Sequence, residues 1–214
     1  MGKFILKDKG NEFHFSFGRH YTLPEREERL DASKLDALVI EQGLEKDSQG
    51  RDIVNQMKAQ GKPIYHVENE DLHKLAVKQV IGSALLTSLS TLDVTRQALN
   101  NKLTRRRFLT SGLIFGSGLT GLTPSILNAM NGPSENKSYS KEEMDNFNKD
   151  YFKWDFLTSK RNAVIAEGLV QLRKRHKILG IVCGVGHHNI YRYLLDDRLR
   201  KDVKGDWEPD IILI

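Results

Sequence analysis

Four polar residues able to bind a metal or to transfer protons follow predicted β-strands: His20, Glu41, Glu68 and His187. Any one of them alone is typical of an ordinary loop. Because ligands of open α/β sheets bind outside the carboxyl ends of the strands, we expect all four side chains to converge at one edge. Two imidazoles with one or two carboxylates suit Zn, Mn, Fe or Co. Such a metal lowers the pKa of a bound water, so the pattern predicts a hydrolytic metal centre.

Five segments have the pattern of strands that would position these residues: 13–17, 37–40, 62–68, 178–183 and 210–214. The first alternates aromatic and polar residues, which is typical of a half-buried strand. The second and fourth are continuous apolar runs, which favour inner strands of a parallel sheet. His20, Glu41, Glu68 and His187 each end or follow one of the first four segments.

Helical patterns separate the predicted strands. They cover 49–60, a long helix capped by Asn69, a helix opened by a capping box of Ser140 and Glu143, a stretch through 164–172, and about 189–199. Alternation of strands and helices predicts an α/β fold with a mixed or mostly parallel sheet flanked by helices. At 214 residues, we expect a single domain over 1–214, with an apolar helical insertion at 104–130.

Composition narrows the classes of protein. Lys and Arg number 33 against 28 Asp and Glu, and this excess of +5 is spread along the chain, so it favours no specific nucleic-acid partner. A hydrophobic fraction of 39% excludes a disordered chain. The single cysteine, Cys183, excludes an intramolecular disulfide and a cysteine-rich metal site.

An arginine-led apolar segment lies in the middle of the chain. Residues 104–109 read Thr-Arg-Arg-Arg-Phe-Leu, like a twin-arginine export motif at an unusual position, and residues 108–134 contain no charge. A membrane span through 108–130, a buried helical hairpin or loop, and a chance arginine-rich stretch all remain open. Glycine, serine and threonine make the segment only mildly hydrophobic, which favours a buried or peripheral helix. The expected location is membrane-associated or cytoplasmic.

Three segments resemble the TraB/PrgY/Tiki family, part of a wider group with erythromycin-esterase-like and ChaN-like proteins. Residues 17–43 are similar to its opening glycine–histidine motif and glutamate-ended strand, although Gly18 stands two residues before His20 where the family tends to have three. Residues 61–72 resemble a second strand ending in glutamate. Residues 159–197 resemble an arginine-bearing helix, a strand and a Gly-x-x-His motif, with His188 as the neighbouring alternative to His187.

The resemblance implies a metal-dependent hydrolase, a metalloprotease acting on a peptide or protein substrate. The implied metal ligands are His20, Glu41 and His187, for Mn, Co or Zn, and the implied catalytic residues are Glu41, Glu68 and Arg161. Arg161 would face a developing oxyanion or hold Glu41 or Glu68 in place. One glutamate would be a ligand or general base and the other an orienting group. The alternative from the same resemblance is a non-catalytic protein that sequesters or shuts down a peptide signal.

Overall fold

The structure, a computed structural model, describes residues 2–18, 30–46, 48–99, 137–149 and 156–214. Within these ranges, seven strands form one sheet. They are β1 (Gly2–Asp8), β2 (Asn11–Gly18), β3 (Ala37–Ile40), β4 (Ile64–Glu68), β5 (Ser138–Tyr139), β6 (Ile178–Gly184) and β7 (Asp210–Leu213). Their order across the sheet is β5-β1-β2-β6-β3-β4-β7.

Parallel strands form the middle of the sheet and antiparallel pairs lie towards its sides. The four strands β2, β6, β3 and β4 run parallel to one another, whereas β1 pairs antiparallel with β2 and β7 antiparallel with β4. The expected mixed α/β sheet is therefore confirmed. Since the four central strands share a direction, their carboxyl ends meet at one edge, and Ile40, Glu68 and Gly184 end strands there.

Six helices lie in the described ranges: α1 (Ser48–Ala59), α2 (Glu70–Leu99), α3 (Lys141–Lys149), α4 (Phe156–Leu172), α5 (Ile190–Leu195) and α6 (Asp197–Lys204). The predicted caps are confirmed. Asn69 accepts a hydrogen bond from the backbone N of Leu72 at 2.9 Å at the start of α2. Ser140 and Glu143 bond each other's backbone N at 3.2 and 2.8 Å at the start of α3.

Both faces of the sheet are buried at its inner strands, which explains the continuous apolar runs of these strands. In β3, Ala37 and Val39 join the core cluster that contains α4, whereas Leu38 and Ile40 join the cluster that contains α1. Successive side chains of a strand point to opposite faces, so a strand covered on both sides has no polar position. Glu41 is the first polar residue after this run.

Gly168 lets α4 approach the sheet closely. A Cβ atom at this position would lie 2.1 Å from Cγ1 of Val67 in β4, far inside van der Waals contact. Arg161 and Asn162 are borne by the same helix, two turns nearer its amino end. Gly168 therefore determines how close Arg161 and Asn162 lie to the edge of the sheet.

Two parts of the chain differ from the helices expected from the sequence. The helix expected at 189–199 is interrupted at Asp196, whose side chain accepts a hydrogen bond from the backbone N of Leu199 at 2.9 Å and caps α6. Residues 138–139, which directly precede the predicted capping box, form the short strand β5 beside β1. Both differences arise from local hydrogen bonds, which the spacing of hydrophobic residues does not predict.

The apolar insertion predicted at 104–130 lies outside the described residues, and so does His20. Among the helices that the structure describes, none is long and apolar enough to cross a membrane. The long helix α2 nevertheless carries exposed apolar side chains at helical spacing: Val77, Ile81, Leu85, Leu89 and Leu92.

Replacing Gly168 by Ala should destabilise the fold, because the new methyl group overlaps Val67; overpacking of this kind costs about 1–3 kcal/mol. The matched control is Gly82→Ala in α2, where nothing lies within 4 Å of the added Cβ. That control should gain about 0.5–1 kcal/mol from helix propensity alone. Urea unfolding of both variants measures the difference, and equal stabilisation by both would show that the close approach of α4 is absent.

Candidate active site

Arg161 lies between the two glutamates that end neighbouring strands. Its Nε donates to Glu68 Oε1 at 2.5 Å, and its Nη2 contacts the same oxygen. Nη2 also donates to Glu41 Oε1 at 3.4 Å. The three side chains are between 8% and 12% exposed, so this is a largely buried cluster. The pairing of Arg161 with a glutamate, one of its two expected roles, is what the structure shows.

Glu41 is held by the neighbouring strand as well as by Arg161. Its backbone N donates to Val182 O at 2.9 Å, and its side-chain Oε2 accepts from Gly184 N at 2.7 Å. Burial by itself raises the pKa of Glu41, but His187, Arg161 and the Gly184 N–H together hold that pKa well below its ordinary value. Glu41 is therefore an anion fixed at the carboxyl end of β3.

His187 faces Glu41 and is oriented from behind by two asparagines. Its Nε2 lies 3.2 Å from Glu41 Oε1, and its Nδ1 contacts Asn162 Oδ1. The Nδ2 of Asn162 donates in turn to Asn189 Oδ1. Since Asn162 uses its amide nitrogen for Asn189, its oxygen must accept from His187, which places a proton on Nδ1. Nε2 is left pointing at Glu41.

His73 joins the site from the first turns of α2. Its Nδ1 lies 3.2 Å from Glu68 Oε2 and 3.3 Å from Arg161 Nη2. The residue is positioned by the Asn69 cap, since its backbone N donates to Asn69 O at 2.9 Å. The 29% exposure of its side chain exceeds the 8% of Glu68.

The structure brings together Glu41, Glu68, Arg161 and His187, four of the residues expected at the site. The fifth, His20, lies outside the described residues. Asn162, which follows Arg161 on α4, orients the His187 ring. Two further residues of the site, His73 and Asn189, were not predicted from the sequence. Each had a signal: His73 lies one turn into a helix capped beside Glu68, and Asn189 follows the double histidine.

The neighbouring alternative, His188, has different surroundings. Its Nδ1 bonds Val185 O at 2.9 Å, and its ring packs against Phe147 at a centroid distance of 6.3 Å. Burial lowers the pKa of His188 to about 4. His187, rather than His188, therefore faces Glu41.

Cys183 offers no nucleophile beside this site. Burial, together with the charge of Glu41, raises the pKa of its thiol. The thiolate is the reactive form of cysteine, so a buried neutral thiol of this kind is inert. Among the described residues, the ionisable groups that meet at this site are the two carboxylates, the imidazoles and Arg161.

The pair of Glu41 and His187 fits two positions around a metal ion. Ligands at about 2.0–2.2 Å from a common ion are themselves roughly 3.0–3.5 Å apart in octahedral or tetrahedral geometry, and Oε1 and Nε2 are 3.2 Å apart. A ring whose other nitrogen donates to a protein oxygen is also the usual arrangement of a metal-binding histidine. Among the described residues, no group of three or more His, Cys, Asp or Glu side chains could hold a metal, and the expected third ligand is His20.

Comparisons with protein-family models, curated proteins and solved structures give no match to this chain. The resemblance to the TraB/PrgY/Tiki family therefore stays a prediction from the three sequence segments. The geometry of the site stands independently of it.

Replacing Arg161 by Met should lower the free energy of unfolding by about 3–5 kcal/mol, because Glu41 and Glu68 would be left buried without their cation. Arg173→Met is the matched control: Arg173 contacts Asp8 at 2.8 Å and its side chain is 14% exposed, but within the described ranges it forms an ion pair with this one carboxylate. Arg173→Met should lower the free energy of unfolding by less than Arg161→Met. The double variant with Glu68→Gln should be milder than Arg161→Met alone. Equal losses in the two arginine variants, measured by urea unfolding, contradict the bridging role.

Acid should destabilise the fold through His188. Its pKa is about 4 in the folded protein, whereas an unfolded histidine has a pKa of about 6.5. Between these values the unfolded state binds the proton and the folded state does not. The free energy of unfolding should therefore fall by on the order of 2–3 kcal/mol as the pH drops from about 6.5 to about 4.

The measurement is urea unfolding across this pH range with His188→Gln, and His14→Gln as the control for the loss of a histidine. His188→Gln should flatten the dependence on pH. If the slope is unchanged in that variant, His188 is not the group that takes up the proton.

Proposed function

We propose that this protein is a metal-dependent hydrolase that acts on peptide bonds. The observation that carries the proposal is the pair of Glu41 Oε1 and His187 Nε2, 3.2 Å apart at the carboxyl ends of neighbouring strands. Glu41 and His187, with His20 as the expected third ligand, would hold the metal, for which Mn, Co and Zn are the candidates. A bound divalent metal would supply a water of lowered pKa at neutral pH.

The residues around this pair have roles that suit hydrolysis. Arg161 keeps Glu41 and Glu68 in place and offsets negative charge in a largely buried site. Asn162 fixes the His187 ring with Nε2 towards Glu41. Glu68 has its Oε1 occupied by Arg161, which favours the orienting role for this glutamate and the ligand role for Glu41.

A peptide is the substrate class implied by the resemblance, and the site is compatible with it. Hydrolysis of an amide requires a nucleophilic water and a group that accepts its proton, and both can be provided at a site of carboxylates and imidazoles. The alternative, a protein that sequesters a peptide signal without turnover, would bind the peptide at the same residues. Measurements of both metal binding and peptide cleavage distinguish the hydrolase from the sequestering protein.

The proposal is tested by titrating the purified protein with Mn²⁺, Co²⁺ and Zn²⁺ in a calorimeter and by assaying cleavage of a fluorescent peptide library. Glu41→Gln and His187→Gln should lose metal and turnover. Asn162→Ala should weaken metal binding by about 10–100-fold, since it removes the group that orients a ligand. Glu68→Gln should keep the metal and lose turnover.

The control is His14→Gln in β2. It removes an imidazole that is bonded to Glu12 of the same strand at 3.0 Å, and it should change neither metal binding nor turnover. Metal retention by Glu41→Gln would contradict the ligand assignment. Metal binding without cleavage of any peptide would favour the sequestering protein.

A further inference from the structure

The peptide group that joins Ile40 to Glu41 is held by both neighbouring strands. Its N–H donates to Val182 O in β6 at 2.9 Å. Its carbonyl oxygen, Ile40 O, accepts from Nδ1 of His66 in β4 at 2.8 Å. Ile40 is fully buried, and a buried carbonyl group takes its donor from the protein. The backbone that bears the Glu41 side chain is therefore fixed from two sides.

The contact of His66 continues the pairing of β3 with β4. The backbone register of these two described strands ends at Val39 and Tyr65, one residue before Ile40. The imidazole of His66 then supplies the donor to the last carbonyl of β3. Since β4 ends at Glu68, two residues after His66, this bond also sets the spacing of the strand ends that carry the two glutamates.

The partners of the His66 ring assign its hydrogen. A carbonyl oxygen can only accept, so Nδ1 carries a hydrogen. Nε2 lies 3.9 Å from Glu45 Oε2, which is beyond hydrogen-bond distance. That carboxylate oxygen accepts instead from Gly43 N at 2.7 Å. Among the contacts of the described residues, the bond to Ile40 O is therefore the one that orients the ring.

We infer that His66 is a positioning residue for Glu41, acting through the carbonyl group of Ile40. The inference rests on the proposed metal site, in which Glu41 Oε1 and His187 Nε2 share one ion. A rotation of the Ile40–Glu41 peptide group would turn the Cα–Cβ bond of Glu41. It would thereby change the distance of 3.2 Å between the two ligand atoms. Asn162 orients the histidine of this pair, and His66 orients the glutamate.

Two different contacts keep Glu41 and Glu68 side by side. Arg161 joins the two carboxylates, and His66 joins the strands behind them. Removal of Arg161 takes away the cation of the cluster, whereas removal of His66 takes away a donor to the backbone and leaves the three charged groups present. The role of His66 can therefore be tested separately from that of the arginine bridge.

Asparagine and leucine at position 66 distinguish the donor from the bulk of the ring. The amide nitrogen of asparagine lies as far along the side chain as Nδ1 of histidine, so His66→Asn retains a donor for Ile40 O. His66→Leu introduces a side chain of nearly the same shape as asparagine but without a donor. The matched control is His14→Leu in β2, because the side chains of His14 and His66 are 13% and 16% exposed.

Amide hydrogen exchange of the full chain measures the bond without metal or substrate. The N–H of Glu41 belongs to the same peptide group as Ile40 O, so it should exchange about 2–10-fold faster in His66→Leu, the range expected for loss of one hydrogen bond. The rate is taken relative to the amide of Phe15 in β2, which corrects for a general loss of stability. His66→Asn and His14→Leu should leave this ratio unchanged. An unchanged ratio in His66→Leu would overturn the inference.

The unmodified protein provides a check that does not depend on the folding of any variant. Long-range ¹H–¹⁵N correlation spectra at about pH 8, where an ordinary histidine is neutral, report which ring nitrogen carries the hydrogen. The His66 signal is identified by its absence in His66→Asn. We expect the hydrogen on Nδ1. A bare Nδ1 would show that the ring does not donate to Ile40 O.

Calorimetric titration with Mn²⁺, Co²⁺ and Zn²⁺ tests the consequence for the metal. His66→Leu should weaken metal binding by about 10–100-fold, the usual effect of losing a group that orients a ligand, and His66→Asn should restore most of the affinity. Equal affinity in the unmodified protein and His66→Leu, or equal loss in both variants of His66, contradicts the positioning role. If the unmodified protein binds no metal, the proposed function fails and this role with it, whereas exchange at Glu41 judges the bond to Ile40 separately.

Discussion

One guanidinium between two largely buried carboxylates is the interaction on which the candidate site depends. Glu41 and Glu68 end adjacent parallel strands, and without a cation their charges would repel each other in a region that excludes most water. Arg161 removes this conflict by contacting both. Glu41 also contacts His187 and Gly184, and the second oxygen of Glu68 lies 3.2 Å from His73 Nδ1. The bridge thus divides the site into two halves with different partners.

This bridge in turn requires an exact placement of helix α4. The helix carries both Arg161 and Asn162, so a single element sets the position of the carboxylates and of the His187 ring. Gly168 allows the helix backbone to lie close against Val67. The packing of α4 on the sheet therefore sets the geometry of the site. A methyl group added at Gly168 should change the distances between the site side chains at the sheet edge.

The central strands of the fold and four residues of the site, Glu41, Glu68, Arg161 and His187, could be predicted from the sequence. Strand β3 was predicted with its observed bounds because both faces are buried, and the polar residue that follows such a run, Glu41, has to lie at the sheet edge. Contacts between distant segments of the chain could not be predicted from the sequence. The link from Asn162 to Asn189 depends on how α4 packs, and the approach of His73 depends on the direction in which α2 leaves its Asn69 cap. The break at Asp196 was missed because a side-chain cap leaves no trace in hydrophobic spacing.

The most direct measurement of the central claim is anomalous scattering from crystals soaked in Mn²⁺ or Co²⁺. The account predicts one peak within ligand distance, about 2.0–2.2 Å, of both Glu41 Oε1 and His187 Nε2. Arg161 should remain bonded to Glu68, and His20 should complete the ligand set. A peak elsewhere, or an empty pair of Glu41 and His187 at saturating metal, would contradict the assignment of this sheet edge as a metal centre.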